Sequence, residues 1–228
     1  MGRLQRWSIA FALTAAAVVL CYVAIDRPLS LFVHERFAPF KSFFNLFTLI
    51  PEPFPVIAAL IVIALGARSL TGRALARPHA VLLVLGLSQL VTTMINRQLK
   101  FAFGRSWPET WVNNNPSFIR DGVYGFEPFH GGQGFAAFPS GHMAAICVAM
   151  TVLWLCYPRL AALYALAIAV VAIGLIGTNY HFLSDIIAGG FVGVSIAWFA
   201  VALWEAGGPR RPVPARRRSP VCRSSDCR

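Results

Sequence analysis

FPSGHMAA, residues 138–145, places a serine, a glycine and a histidine directly before an apolar run of low charge, AAICVAMTVLWLCY (144–157). Such a run is typical of a membrane helix, so the imidazole of His142 stands at the mouth of a predicted span. A second histidine, His181, occurs in NYHFLSD (179–185), after the next apolar segment. Both histidines raise the same question, which is what an ionisable imidazole does beside a membrane-like segment.

The composition favours a membrane protein. Of 228 residues, 57% are hydrophobic and 13% are charged, which is too apolar for an ordinary soluble domain of this size. A membrane-spanning helix needs about 20 largely apolar residues. The segments that approach this length are 7–25, 54–70, 80–95, 143–157, 160–178 and 186–204. The sequence therefore predicts an all-α integral membrane protein, a six-transmembrane-helix bundle formed by residues 1–206.

Two segments on the predicted outer side are long. In residues 26–53, phenylalanines recur near helical spacing, which fits either an amphipathic helix in the membrane interface or a short helix packed over the bundle. These residues are Phe37, Phe40, Phe44 and Phe47. Residues 98–139 are rich in Gly, Pro, Asn and aromatic residues. Because of the aromatic residues, we expect an ordered extracytoplasmic loop between helices three and four.

The formal net charge is +11, and the positions of the basic residues indicate a membrane topology. Basic residues stand before the first helix, between helices two and three, between helices four and five, and in the tail, all on one side of a six-span chain. The positive-inside rule makes that side cytoplasmic, so both termini are predicted to be cytoplasmic. Residues 207–228 are predicted to form a disordered basic cytoplasmic tail that can contact membrane lipids. A nucleic-acid partner is not expected.

Polar residues converge on the opposite, non-cytoplasmic face. His142 begins helix four and His181 follows helix five, so the chain crosses the membrane twice between them and returns to one face. Lys100 and Arg105 follow the end of helix three, which leads to that face as well. Asp185 lies four residues after His181 and shares its side of a helix. Taken singly, each residue also fits a packing or anchoring role, and only their convergence indicates a functional site.

The histidines and the aspartate indicate phosphoryl transfer. Asp185 can hold the imidazole of His181 in one tautomer and stabilise positive charge on it, which makes His181 a candidate nucleophile. His142 can give a proton to a leaving group and later activate water.

The remaining polar residues suit an anion. Lys100 and Arg105 supply cationic donors for phosphate oxygens. Ser140 stands at a helix start, where free backbone N–H groups and the helix dipole favour negative charge. Because the chain has few acids and no dense carboxylate cluster, we predict neither a metal site nor a cofactor.

These residues resemble the three-part signature of the type-2 phosphatidic acid phosphatase superfamily, which is K-x6-R-P, then P-S-G-H, then S-R-x5-H-x3-D. KFAFGRSWP (100–108) looks like the first part, PSGH (139–142) matches the second, and GLIGTNYHFLSD (174–185) looks like the third. The three parts occur in order, on one predicted face, over more than half of the chain. The six-helix layout is also similar to the membrane branch of the family.

The resemblance implies a phosphohistidine mechanism. His181 would attack phosphorus, Asp185 would orient it, and His142 would protonate the departing group. The phosphoryl oxygens would be held by Lys100, Ser140 and the Gly141 backbone.

The chain departs from the signature at two arginines. Trp107 stands where the family has the arginine of the first part, and Leu175, preceded by Gly174, stands where it has the arginine of the third. Arg105, two residues before Trp107, could supply the first cation. The candidates for part of the second function are Asn179 and Arg120.

The predicted function is hydrolysis of a membrane lipid phosphate or diphosphate ester at the extracytoplasmic face. An outer membrane site favours an amphiphile: phosphatidic acid, phosphatidylglycerol phosphate, an isoprenyl diphosphate or a lipid A phosphate. A compact six-span chain fits a bacterial inner membrane with a periplasmic active site. The alternatives are a lipid phosphotransferase on the same scaffold and a non-catalytic lipid-binding or transport protein. The sequence does not indicate an oligomeric state.

Overall fold

The computed structural model describes residues 2–72, 74–111 and 113–207. Within these ranges the fold is all-helical, as predicted, and β-structure is limited to isolated bridges. The α-helices in chain order are α1 (Arg3–Leu20), α2 (Asp26–Phe37), α3 (Lys41–Thr48), α4 (Phe54–Leu70), α5 (Arg77–Phe103), α6 (Phe118–Asp121), α7 (Gly141–Cys156), α8 (Ala161–Gly177) and α9 (Leu183–Gly207). The predicted tail lies outside the described residues from 208 onward.

The first helix continues beyond its predicted end at residue 25. A π-helical turn, Cys21–Ile25, joins α1 directly to α2. Pro28 lacks the backbone N–H that would bond to the carbonyl four residues earlier, and π-turns occur where the regular ladder is interrupted. Asp26 follows this turn and is fully buried. The polar residue that predicted a helix end therefore points into the protein.

Helix α5 is also longer than the predicted span 80–95, and it includes Lys100. It ends at Gly104, whose φ of +57° is left-handed. A Cβ at this glycine would lie 1.8 Å from the carbonyl oxygen of Glu127, so the loop backbone closes tightly over the helix end. Polar residues continue the helix beyond the predicted apolar run.

Helix α7 lies at the centre and packs against α5, α8 and α9. Two glycines of α9 allow its closest contact with α7. A Cβ at Gly189 would lie 2.3 Å from the carbonyl oxygen of Ser140, and one at Gly193 would lie 2.4 Å from that of Ala144. This packing is the small-residue contact common between membrane helices, and it fixes the start of α7 against α9.

Helix α3 packs on α8. A Cβ at Gly174 would lie 2.6 Å from Cβ of Phe47, and one at Gly177 would lie 2.4 Å from the ring of Phe44. Of the two alternatives for the phenylalanine stripe, the structure therefore favours a short helix packed over the bundle.

Among the described residues, four helical segments are long and apolar enough to cross a membrane, namely Arg3–Thr48, Arg77–Phe103, Pro158–Gly177 and Leu183–Gly207. Helices α4 and α7 are apolar but shorter, with 17 and 16 residues. Each of the six predicted segments falls on a helix, while their count as six spans stays a prediction.

Candidate active site

A cavity of about 430 Å³ lies between the start of α4, the C-terminal half of α5, the start of α7 and the turn between α8 and α9. Its lining includes four residues of the predicted site: Lys100, Gly141, His142 and His181. The three parts of the sequence signature thus meet at one cavity.

Both histidines line this cavity from different elements. His142 is the second residue of α7, and His181 lies in the turn before α9. The centroids of the two imidazole rings are 6.4 Å apart. Glu52, half-exposed, places a carboxylate oxygen 4.0 Å from Nε2 of His142. The two rings therefore face a shared space at the end of the bundle.

The start of α7 is tied to the turn that carries His181. Ser140 is the N-cap of α7, and its hydroxyl accepts a hydrogen bond from the Met143 N–H at 3.4 Å. The N–H of Ser140 donates to the backbone carbonyl of Asp185 at 3.0 Å. A Cβ at the next residue, Gly141, would lie 3.8 Å from Cε of Lys100. The free N–H groups of this helix start therefore face the cavity beside a cation.

His181 has one engaged and one free ring nitrogen. Its Nδ1 lies 3.4 Å from Oδ2 of Asp185, which also accepts from the Phe182 N–H at 3.0 Å. Its Nε2 is buried and has no hydrogen-bond partner among the described residues. Burial lowers the pKa of His181, as do Lys100 and Arg105, and these effects outweigh Asp185. The imidazole is therefore neutral at neutral pH, and its unprotonated nitrogen can act as a nucleophile.

A buried charged network lies behind His181; we define it as Asp26, Arg105, Ser184 and Asp185. Arg105 is fully buried and its guanidinium bridges the two carboxylates, with Nη2 2.8 Å from Oδ2 of Asp26 and Nη1 bonded to Oδ1 of Asp185. The Ser184 N–H donates to Asp26 at 3.0 Å, and its hydroxyl bonds to the same carboxylate. The network ties α2, the loop and α9 together.

Aromatic rings surround the Arg105 guanidinium, whose central carbon lies 4.4 to 5.5 Å from four ring centroids. These belong to Tyr22, Tyr124, Phe126 and Phe182. Arg105 does not line the cavity. Its guanidinium is bonded instead to Asp185, the carboxylate that faces His181.

Asn179 likewise points away from the cavity. It adopts a left-handed backbone conformation, with φ of +54°. Its side-chain amide donates to the carbonyl of Ser30 at 3.1 Å and to Glu109 at 3.0 Å, and it accepts from the Ser30 hydroxyl at 2.9 Å. The structure therefore separates Asn179 from the residues that line the cavity.

Trp107 and Leu175 occupy the two signature positions without arginine. Trp107 lines the cavity, and its ring centroid lies 5.0 Å from that of His181. The Lys100 amine lies 5.5 Å from the Trp107 ring and donates to the carbonyl of Ala136. Leu175 is fully buried in an apolar cluster. Arg120 is in the loop, bonded to Asp121 and Asn114, and does not line the cavity.

Helix α5 supplies cavity residues that the sequence reading missed. Gln89, Thr92, Thr93 and Asn96 form one polar stripe along its cavity side, and Arg97 follows them. Their spacing of three and four residues places them on one helical face. Polar residues at helical spacing inside an apolar segment are the signal that could have identified them.

A second cluster holds the loop against the helices. The carboxylate of Glu109 accepts hydrogen bonds from Lys41, His34 and Asn179. Burial alone would raise the pKa of Glu109, but these hydrogen bonds together lower it below its ordinary value. The Lys41 amine also lies 4.8 Å from the Trp111 ring. The loop residues that cover Asn179 are therefore held by a charged contact with α2 and α3.

The model of the PAP2 superfamily matches residues 78–208, which is more than half of the chain. This match confirms the resemblance found in the three signature parts. Among solved structures, the chain is similar to the crystal structure of the first transmembrane PAP2 type phosphatidylglycerolphosphate phosphatase from Bacillus subtilis. The TM-score is 0.55 at 16% identity, covering 92% of this chain and 100% of that chain. At this identity the likeness supports the fold. No curated protein matches the sequence.

The apolar helices and the transmembrane fold of this neighbour identify the chain as an integral membrane protein.

Proposed function

The chain belongs to the PAP2 superfamily, and we propose that it is a lipid phosphatase that hydrolyses a membrane lipid phosphate or diphosphate ester through a phosphohistidine. The observation that carries the proposal is the hydrogen bonding of the two ring nitrogens of His181. Its Nε2 is buried at the cavity without a partner among the described residues, while Asp185 faces its other ring nitrogen. Asp185 is positioned in turn by Arg105, whose charge is neutralised by Asp26 on its far side.

In the first step, the lone pair on Nε2 of His181 attacks phosphorus and forms a P–N bond. The P–O bond to the leaving group breaks, and the departing oxygen takes a proton from His142. Asp185 stabilises the positive charge that develops on the His181 ring. The ring separation of 6.4 Å leaves space for a phosphoryl group between the two imidazoles.

In the second step, water attacks the phosphohistidine. His142, now unprotonated, accepts a proton from this water as the new P–O bond forms. The P–N bond breaks, inorganic phosphate leaves, and the electron pair returns to Nε2 of His181. The free enzyme is regenerated, because the proton that His142 gave to the leaving group is replaced by the proton that it takes from water.

The phosphoryl oxygens are held by Lys100 and by the free N–H groups at the start of α7, beginning at Gly141. Ser140 holds this helix start in place through its capping hydroxyl. Arg97 lies at the cavity rim and could bind phosphate in place of the arginines missing from the signature. In this proposal Arg105 and Asn179 act on the surrounding structure and do not contact phosphate.

The charge distribution supports an orientation with both termini cytoplasmic and the cavity on the extracytoplasmic face, in a bacterial inner membrane. A cavity at the end of a membrane bundle suits an amphiphile whose hydrocarbon stays in the bilayer. The described residues contain no group of three His, Cys, Asp or Glu side chains placed to hold one metal ion. Independence from metal stays a prediction of the proposal.

The test is phosphate release by the purified protein in detergent with EDTA, across a panel of lipid phosphates and diphosphates. His181→Ala is expected to abolish release, and an acid-labile phosphoprotein should form transiently with the wild type. His130→Ala is the matched control, because His130 is an exposed loop histidine that does not line the cavity. Release that survives His181→Ala, or that requires a metal ion, would overturn the mechanism.

A further inference from the structure

The polar stripe of α5, Gln89, Thr92, Thr93 and Asn96, contains buried groups that the fold leaves unpaired. Gln89 is 1% exposed, and neither atom of its side-chain amide has a hydrogen-bond partner among the described residues. Asn96 is 5% exposed, and its Nδ2 is also without a partner there. The two threonine hydroxyls bond only to carbonyls of their own helix. All four side chains line the cavity.

Such groups are costly in a membrane helix. A buried amide without a partner loses the hydrogen bonds that it makes in water, and nearly all buried polar groups in proteins are paired. A leucine at either position would avoid this cost. The stripe is therefore best explained by a ligand that supplies the missing hydrogen bonds.

The position of the stripe shows which part of a ligand it meets. At about 1.5 Å per helical residue, Asn96 lies about 6 Å below Lys100 and Gln89 about 16 Å below it. Lys100 is beside the two histidines, where the phosphoryl group would be held. The stripe then faces the part of the molecule that follows the phosphate towards the hydrocarbon.

The chemistry of the stripe narrows this part further. A glutamine amide is neutral and offers both a donor and an acceptor. It matches hydroxyl, ester or amide groups, whereas a hydrocarbon chain would leave both of its atoms unpaired. Sites built to hydrogen-bond a ligand group strongly reject analogues that lack the group.

We propose that Gln89 and Asn96 form a second subsite that binds an uncharged, hydrogen-bonding segment between the phosphate and the hydrocarbon of the substrate. This inference rests on the proposed function and specifies its substrate class. The substrate is a lipid phosphate built on an oxygenated backbone, such as glycerol or a sugar. Isoprenyl diphosphates, whose hydrocarbon follows the diphosphate directly, are poor substrates.

The test compares three substrates: phosphatidic acid, a lipid A-type sugar phosphate and farnesyl diphosphate. Gln89→Leu and Asn96→Leu are expected to lower kcat/KM for the preferred oxygenated lipid about tenfold, mainly through KM. The same substitutions should lower kcat/KM for farnesyl diphosphate less. The ratio of kcat/KM between the oxygenated lipid and farnesyl diphosphate should therefore decrease. Gln98→Leu is the matched control, since Gln98 is an exposed residue of α5 outside the cavity lining. The first two lipids distinguish a glycerol from a sugar backbone.

Stability provides an independent readout. Because Leu replaces an unpaired buried amide, Gln89→Leu should unfold at a temperature no lower than the wild type. If a leucine variant does not fold, Gln89→Met replaces it. Equal loss on all substrates, or no change on any, would overturn the subsite while the phosphatase proposal stands. If the wild type releases no phosphate at all, the phosphatase proposal fails, and binding of the same lipids to His181→Ala still tests the subsite.

Discussion

Two buried polar regions flank His181, and they differ in how completely they are paired. In the charged network, Arg105 binds two carboxylates and Ser184 binds one of them, so that only Nε of Arg105 lacks a partner among the described residues. In the polar stripe, the amide of Gln89 has no partner at all within that part of the chain. The charged network is nearly inaccessible to solvent, as are Gln89, Thr92 and Asn96 of the stripe.

This difference indicates a structural role for the charged network and a ligand-binding role for the polar stripe. A buried network with nearly all of its polar atoms paired stabilises one arrangement of the residues that it joins, here the orientation of Asp185 behind His181. An unpaired group adds nothing to the folded state and gains its hydrogen bonds only when a ligand arrives. Substitutions in the charged network should therefore mainly lower stability. Substitutions of residues that line the cavity should mainly lower catalytic activity.

The largest effect is expected for Arg105→Leu. The change leaves two buried carboxylates facing each other without a cation, which typically costs about 3–5 kcal/mol. Arg105→Lys keeps the charge but not the planar fork, and should recover part of the loss. The measurement is the free energy of unfolding in detergent. Arg120→Leu is the control, because its ion pair with Asp121 is exposed and should contribute little. Equal stability of the two leucine variants would contradict the structural role.

Lys100→Met should leave the fold intact and weaken catalysis. A charge-assisted hydrogen bond to phosphate is commonly worth about 1.5–3 kcal/mol, so kcat/KM should fall by about one to two orders of magnitude. Arg97→Met gives the comparison, since Arg97 lies at the exposed rim and should cost less. Steady-state kinetics and a thermal unfolding curve on the same samples check the result. A loss of stability without a change in kcat/KM would place Lys100 with the charged network.

The pH profile should show an acid limb set by His181. Burial lowers the pKa of this histidine, so protonation that removes the nucleophile begins only below its ordinary value of 6.5. Burial also lowers the pKa of His142 to about 3, so the proton donor gains protons as pH falls through 6.5. The value of kcat/KM should therefore not fall at pH 6.5, and it should drop only once pH lies below the lowered pKa of His181. The profile of kcat/KM measures this directly, with His130→Ala expected to overlay the wild type. An acid limb with its midpoint above pH 6.5 would argue against the neutral, buried nucleophile.

The smallest effect concerns Glu109, whose partners His34 and Lys41 are partly exposed. Because its pKa is lowered in the folded protein, its contribution to stability is present above the unfolded value of about 4.5 and is lost as pH falls through the folded pKa. The wild type should lose some stability on acidification that Glu109→Gln does not lose, by about 1 kcal/mol or less. Unfolding temperatures from pH 7 down to pH 3 test this. If the unfolding temperatures of the two proteins fall in parallel with pH, the ionised Glu109 does not stabilise the fold.

The sequence predicted the helical segments and the residues around the two histidines well. His142, His181, Gly141 and Lys100 line one cavity because motif spacing and the return of the chain to one face determine their positions. It did not predict the direction of Arg105, because its partner Asp26 is distant in the chain and appeared to end a helix. Three residues of the polar stripe, Gln89, Thr92 and Thr93, lie inside the predicted span 80–95, which was interpreted as an apolar helix.

The glycine contact between α7 and α9 has a consequence for how such a protein can change its substrate. Gly189 and Gly193 hold the backbone of α9 against the start of α7, so the two histidines share one stiff frame. The opposite side of the cavity, with Pro51, Glu52 and Pro55, belongs to α4 and the turn before it, and α4 packs mainly against α5. Mutations there can reshape the pocket without moving the reacting groups. Evolution can therefore vary the choice of lipid on one side while selection preserves the chemistry on the other.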